Sequence, residues 1–102
     1  GDTYRFYTSV AVTSNNHVLK VANATDTMVG TLLVIDTDTA NAAAIGENIG
    51  GTDDTLTMNG TTSGGLIGGY IEATDIASTK WLIFGQTLGS GAITGGQASA
   101  TV

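Results

Sequence analysis

The chain has 102 residues, of which nine are acidic and three are basic, and its formal net charge is −6. This length corresponds to one domain with a thin hydrophobic core, and the absence of cysteine excludes disulfides and thiolate metal sites. Nucleic acids and anionic membranes bind proteins through clusters of Lys and Arg. Three scattered cations therefore argue against both kinds of partner. Charged residues make up only 12% of the chain, so much of its surface is suited to being covered by neighbours.

The first part of the chain predicts a β-hairpin over residues 3–22. Large apolar side chains alternate with polar ones in residues 3–12, and a shorter alternation follows in residues 17–22. The polar stretch 14–16 lies between the two runs and contains two asparagines, which tolerate the left-handed backbone of tight turns. Two strands joined by such a turn are typical of a hairpin.

Four further strand-like runs follow, at residues 28–35, 55–58, 66–73 and 80–88. The first of them is almost continuously hydrophobic, which predicts a strand covered on both faces. The last two are separated by a predicted turn at residues 75–79 and predict a second hairpin.

Two segments lack a clear strand pattern. Residues 36–54 are rich in Ala, Gly and acidic side chains, and within them residues 40–45 suit either a short helix or an ordered loop. Residues 89–102 are rich in Gly, Ser, Thr and Ala, which is typical of a flexible arm that is able to add a strand to a neighbour. The sequence therefore predicts a β domain over residues 1–88 and a C-terminal arm over residues 89–102.

Together these patterns predict an all-β fold, a small β-sandwich that is jelly-roll-like or barrel-like, with at most one short helix. Because the chain begins with Gly rather than Met, we expect a processed or partial chain. The predicted core consists of the apolar positions on the inward strand faces: Tyr4, Phe6, Val10, Leu19, Val21, Leu33, Ile35, Ile71, Trp81 and Ile83.

The sequence offers little for catalysis. His17 is the single histidine, no cysteine is present, and no nucleophile elbow or P-loop pattern occurs. The acidic pairs Asp36 with Asp38 and Asp53 with Asp54 fall in predicted loops without neighbouring aromatic residues. We therefore expect no enzyme activity, no cofactor and no essential metal. Calcium is an alternative at these four aspartates, against a simple solvated acidic loop.

Three apolar side chains are candidates for an interface with another protein. Ile93 and Val102 are the large apolar residues of the predicted arm, and Tyr70 is an aromatic residue in a predicted strand. Trp81 begins the most apolar strand of the second hairpin and is interpreted as a core residue.

Several blocks resemble the head-decoration, or cement, proteins of bacteriophages. The likeness lies in a short aromatic strand followed by a polar turn and a second short strand, in a connection after them, and in a tryptophan-containing strand that ends in glycine. Residues 36–54 depart from the pattern. The blocks that carry the resemblance are residues 1–7, 13–21, 24–30, 65–72 and 79–85.

The resemblance implies a structural protein on the exterior of a phage capsid. Such proteins are often homotrimers on local three-fold positions, where they bridge capsomers of the major capsid protein against internal DNA pressure. The alternative is a β domain of a trimeric tail fibre or spike that binds a host receptor. A bacterial adhesin or surface-layer module and a small hydrolase are more distant alternatives.

Overall fold

The computed structural model describes residues 1–23, 25–38, 43–94 and 97–102, and all regular structure in them is β-strand. Within these ranges no helix is present that is long and apolar enough to cross a membrane. The strands are β1 (Thr3–Tyr7), β2 (His17–Lys20), β3 (Thr27–Asp36), β4 (Ala44–Asp53), β5 (Thr55–Met58), β6 (Tyr70–Ala77), β7 (Lys80–Gly89) and β8 (Ala98–Ser99).

The strands form two sheets. A five-stranded sheet has the order β1-β6-β7-β3-β4, and a three-stranded sheet has the order β2-β5-β8. The central strands β3 and β7 run parallel, and every other pair is antiparallel. The protein is therefore all-β and consistent with a small β-sandwich, as the sequence predicts.

The core lies between the two sheets and follows the two-residue period of the strands. In β3, Met28, Leu32 and Val34 are buried, whereas Thr31 and Leu33 point to the opposite, exposed face. The prediction that this strand is covered on both faces was wrong, because the three-stranded sheet covers only one face of the larger sheet. The buried core cluster contains Val21, Met28, Leu32, Ile49, Leu56, Met58, Ile71, Ala73 and Ile83.

The predicted hairpin over residues 3–22 is not formed. β1 pairs with β6, and β2 pairs with β5 in the other sheet. The polar stretch 14–16 therefore joins the two sheets instead of two neighbouring strands. Turn chemistry locates the end of a strand but does not select its partner. The second predicted hairpin is confirmed as an antiparallel pairing of β6 with β7, but β6 spans Tyr70–Ala77 instead of residues 66–73 and the turn lies at residues 78–79.

The predicted core is correct in its centre and wrong at its edge. Val21, Ile71 and Ile83 are buried, and Leu19, Ile35 and Trp81 are half-buried. Four of the ten predicted positions are exposed because they lie on an edge strand, beyond it, or on the outer face of the large sheet. These four are Tyr4, Phe6, Val10 and Leu33.

Part of the stretch 36–54, which lacks a clear strand pattern in the sequence, belongs to the large sheet. β3 extends to Asp36, and β4 pairs antiparallel with β3 along most of its length. Ile45 and Ile49 lie on the inner face of β4 together with Glu47, and Ile49 is fully buried. Of residues 40–45, for which the sequence leaves a short helix and an ordered loop open, 40–42 lie outside the described residues and 44–45 belong to β4.

The described part of the predicted C-terminal arm packs on the chain's own β domain. Ala98 and Ser99 form β8 against β5, and Gln97 is 0% exposed. The preceding residues are fixed by a loop over residues 59–63. Gly91 and Thr94 donate their backbone N–H groups to the carbonyl oxygens of Thr61 and Thr62, both at 3.2 Å.

Asn59 organises this loop from within. Its Oδ1 accepts the backbone N–H groups of Thr61, Thr62 and Ser63 at 2.9, 2.9 and 3.2 Å. Gly64 follows with a φ of +95°, and a Cβ there would lie 2.3 Å from Oγ1 of Thr87. Only glycine fits this conformation and this close approach. The loop is thereby held in one shape that receives the C-terminal segment.

Candidate functional site

The outer face of the five-stranded sheet carries exposed aromatic and aliphatic side chains. The strand registers bring them side by side across four strands, from β1 to β3. Tyr7 is 69% exposed and Phe84 is 56% exposed. Solvent-facing strand positions are usually polar, so a group of this kind marks a binding surface. We call it the outer-face patch; its members are Tyr7, Leu33, Tyr70, Leu82 and Phe84.

A salt bridge crosses the patch between β1 and β6. Arg5 donates from Nε to Oε2 of Glu72 at 3.1 Å and also from Nη2 to the same oxygen. Its guanidinium lies 5.5 Å from the centre of the Tyr70 ring, and Nη1 donates to the Tyr7 hydroxyl at 3.5 Å. The hydrogen bond to Glu72 and then the contact with Tyr7 raise the pKa of Arg5. The network fixes the orientation of two aromatic rings of the patch.

A shallow cleft of about 230 Å³ opens beside this network. Its rim is formed by Tyr70, Phe84 and Leu33, with Gln86 and Thr31 supplying polar groups. Gly46 of β4 also lines the cleft, and a Cβ built at that position would meet nothing within 4 Å. The missing side chain keeps this part of the cleft open. The cleft is thus a mostly apolar recess with a few hydrogen-bonding groups at its border.

A second surface lies between the edge strands of the two sheets, and we call it the β1–β2 groove. It consists of two cavities of about 210 Å³ each, both of which are lined by Phe6 of β1 and Leu19 of β2. One cavity extends towards His17 and Met58, and the other extends towards Trp81. The rings of Tyr4 and Trp81 approach each other here, with centroids 6.1 Å apart. The sandwich is therefore open along this side, and its core residues line the opening.

The free edge of β1 presents backbone hydrogen-bonding groups to solvent. The N–H of Thr8 donates to the Gly69 carbonyl at 3.1 Å, and the N–H of Asp75 donates to the Asp2 carbonyl at 2.9 Å. Hydrogen-bonded positions alternate along an antiparallel strand, so the even-numbered residues face β6. Thr3, Arg5 and Tyr7 consequently direct their N–H and C=O groups away from β6. In the described ranges no strand pairs with this edge.

The structure does not bring the four predicted calcium ligands together. Asp36 ends β3, whereas Asp53 lies opposite Met28 near the start of the same strand. Met28 and Asp36 are eight residue steps apart along β3, which corresponds to roughly 26 Å. Asp36 instead accepts the backbone N–H of Asp38 at 2.9 Å. In the parts of the chain that the structure describes, no group of three or more His, Cys, Asp or Glu side chains is arranged to hold a metal ion.

Asp54 binds the C-terminal end of the chain instead of forming a metal site with the other aspartates. Its Oδ1 accepts the backbone N–H groups of Thr101 and Val102 at 2.8 and 3.1 Å and the hydroxyl of Thr55 at 2.9 Å. Burial of the carboxyl raises its pKa, but the hydrogen bonds from Thr101, Thr55 and Val102 outweigh that effect, so the pKa of Asp54 is lowered. Glu47 of β4 also holds the C-terminal segment, because its carboxylate accepts the backbone N–H of Gln97 at 3.0 Å.

The three predicted interface residues do not share one surface. Tyr70 belongs to the outer-face patch, where it is half-buried under Arg5. Ile93 is half-buried beside Gly89, and Val102 is 40% exposed with its backbone N–H bound to Asp54. Their roles in an interface stay predictions. His17 lies at the groove, and its Nε2 is 2.7 Å from the Val10 carbonyl oxygen.

Sequence reasoning missed Phe84, Leu82 and Leu33 as surface residues. The signal was present in the alternation of β7, where Ile83, Gly85 and Thr87 are buried and the alternate residues Phe84 and Gln86 are exposed. A run of four apolar residues from Trp81 to Phe84 hides that alternation. Comparison with protein-family models, with curated proteins and with solved structures finds no match for this chain.

Proposed function

We propose that this chain is a structural virion protein on the exterior of a bacteriophage capsid, where it decorates or cements the shell and has no enzymatic role. The observation that carries the proposal is the outer-face patch, which presents Tyr7, Phe84, Leu33 and Leu82 on one side of a single sheet. Aromatic residues dominate the energetics of protein interfaces. A binding module with such a face is suited to lie flat on a larger protein surface.

The charge of the chain supports the same role. The patch carries Arg5 and Glu72 as a paired cation and anion, so it adds no net charge to a chain of −6. Charged residues are depleted at the centre of protein interfaces, and paired charges are tolerated there better than single ones. The major capsid protein is the proposed partner. The excess of negative charge over the rest of the chain is compatible with a cap that has no contact with the genome.

A homotrimer is the proposed assembly state, and it comes from the resemblance of the sequence to phage decoration proteins. The thin core leaves apolar surface that neighbouring subunits are able to cover. Light scattering on the isolated protein tests it. We expect a mass of three chains, and a stable monomer at micromolar concentration would refute the trimer.

The decisive experiment for the role is a mass-spectrometric inventory of purified particles. We expect the chain in a copy number that scales with the number of capsomers, and we expect stripped shells to regain resistance to heat when the protein is added back. Phe84→Glu in the outer-face patch should abolish this rebinding. Ile67→Glu is the matched control, because Ile67 is equally exposed but lies outside the patch. Equal binding by both variants would contradict docking through the patch.

A domain of a tail fibre or spike is the second candidate. It is favoured by the rings of Tyr7, Tyr70 and Phe84 beside the polar groups of Gln86 and Thr31, since aromatic faces with nearby hydrogen-bonding groups suit receptor recognition. The same inventory separates the two roles. A fibre component is present in few copies per particle and is lost with the tail, whereas a cement protein stays with tailless heads.

A further inference from the structure

We infer that the β1–β2 groove is a binding site for an uncharged, extended polypeptide segment of the shell protein, which adds as a strand to the free edge of β1. The inference rests on the proposed function only for the identity of the chain that supplies the strand. The mode of binding stands on the backbone and the cavities of this protein.

The backbone of β1 is the first support. Thr3, Arg5 and Tyr7 direct their N–H and C=O groups towards the free edge, as the hydrogen bonds of Thr8 and Asp2 on the other side require. A regular row of alternating donors and acceptors is matched by another extended backbone. All five residues of β1 are exposed, so the ladder is accessible along its whole length.

The two cavities are the second support. Each measures about 210 Å³, which exceeds the cavity of about 150 Å³ that accommodates a benzene-sized guest. One lies beside Tyr4 and the other beside Thr8, on either side of Phe6 and Leu19. Side chains on one face of a strand recur every second residue, about 7 Å apart. An added strand would therefore place two apolar side chains of that face in the two cavities.

The charge of the groove defines the chemistry of the occupant. Of the nine acidic side chains of the protein, only Asp26 lines either cavity, and Lys20 lines the same cavity. The remaining walls are largely apolar. The groove consequently has no net charge in a chain of −6, and it favours a segment without charged side chains at the inserted positions.

A second copy of β1 fits this edge less well than a different chain. Two β1 strands are able to pair antiparallel so that all their outward N–H and C=O groups are joined. In this register Thr3 lies opposite Tyr7, and Arg5 lies opposite Arg5 of the other copy. Like charges directly opposite each other destabilise a strand pair. The occupant is therefore assigned to a partner protein rather than to a symmetric dimer.

The test uses the isolated protein and a capped nonapeptide of alternating threonine and valine. Trp81 is the single tryptophan of the sequence and lines one cavity, so its emission reports occupancy. We expect a saturable blue shift with this peptide and none with a nonapeptide of threonine alone, which offers the backbone without apolar side chains. No shift with the alternating peptide up to millimolar concentration would overturn the site.

A pair of variants isolates the backbone contact. Arg5→Pro and Arg5→Ala both remove the guanidinium, but only the proline removes the outward N–H, and edge strands tolerate proline at such positions. We expect the Pro variant to bind the peptide at least about ten-fold more weakly than the Ala variant. Equal affinities would overturn strand addition at β1. If Arg5→Pro melts early, Thr3→Pro against Thr3→Ala gives the same comparison.

The remaining outcomes separate the site from the proposed role. Dimer formation that Arg5→Pro abolishes would overturn the assignment to a partner chain in favour of a second copy. Peptide binding by a protein that the particle inventory does not find on capsids would overturn the shell protein as donor. A protein found on capsids that fails to bind the alternating peptide would leave the proposed function standing and refute the groove.

Discussion

Strand β1 and the described part of residues 89–102 lie near opposite ends of the sequence, and their burial does not follow their hydrophobicity. β1 is rich in aromatic residues, yet every one of its residues is exposed. The C-terminal segment is rich in glycine and small polar residues, yet it contains the fully buried Gln97. Hydrophobicity drives burial only where another layer lies above the side chain. Backbone hydrogen bonds, by contrast, can bury a polar segment when they satisfy most of its polar groups.

The contrast follows from the unequal size of the two sheets. Three strands cannot cover five, so the edge of the larger sheet at β1 has no second layer above part of its inner face. The C-terminal segment lies against the smaller sheet, where Glu47, Asp54 and the loop over residues 59–63 supply partners for its backbone. The uncovered edge is suited to binding, and the covered segment is suited to holding the two sheets together.

The strongest challenge to this comparison is deletion of residues 97–102. The deletion removes β8 and the hydrogen bond that Gln97 donates to Thr87. It also removes the backbone N–H groups that donate to the carboxylates of Glu47 and Asp54. We expect a loss of at least about 3 kcal/mol of unfolding free energy, which corresponds to a fall in Tm of more than about 12 °C by circular dichroism. Val102→Ala is the control and should melt as the parent protein does. An unchanged Tm for the deletion would mean that the segment is an arm.

Two alanine variants compare the covered and the uncovered side of the large sheet. Ile83 is buried in the centre, so Ile83→Ala should cost about 2–5 kcal/mol in denaturant unfolding. Phe6 is 45% exposed, so Phe6→Ala should cost about half of the 3–5 kcal/mol that a fully buried phenylalanine loses. If Phe6→Ala instead costs the full 3–5 kcal/mol, and this cost decreases when the protein is diluted, neighbouring subunits cover β1.

Acid should weaken the C-terminal segment through Asp54. Its folded pKa is lowered, so the stabilisation it supplies is present above the pKa of the unfolded chain, near 3.9, and is lost as the pH falls through the folded value. We expect Tm to fall below about pH 4 in the parent protein and to fall less steeply in Asp54→Asn. Parallel pH profiles for the two proteins would exclude Asp54 as the titrating group.

Val10 should show the smallest effect. It was predicted to be a core residue but is 68% exposed beyond the end of β1. We expect Val10→Ala to change the unfolding free energy by no more than about 0.5 kcal/mol. A loss of unfolding free energy as large as that of a buried valine would show that Val10 is buried in solution. It would also weaken the contrast between the two regions.

The sequence predicts most strands but few of their partners. β3, β5 and β7 are identified nearly to the residue because β-branched and apolar residues cluster in them. β4 was missed because Gly46, Gly50 and Gly51 interrupt its alternation, and its stability comes from pairing along β3. The pairing of strands that are distant in sequence depends on how their side chains pack in the folded domain. The composition of each strand by itself does not determine that packing.

The binding surfaces were predictable only in part. Tyr70 was identified by its residue type, but the outer-face patch exists only because four strands align in one register. The β1–β2 groove arises from a mismatch in the size of the two sheets, which no single segment reveals. Gln97 lacked any signal, since a polar residue among glycines is normally exposed.

The pairing of β1 with β6 and the seat of Gln97 between Ser63 and Thr87 also constrain how the protein folds. Each joins segments that are far apart in sequence, and such topologies fold slowly, on a millisecond to second scale. During synthesis, β1 leaves the ribosome before β6 has been made, so the aromatic residues of β1 stay unpaired and exposed until then. The domain is complete only after Gln97 has emerged from the ribosome and its side chain has reached Ser63 and Thr87.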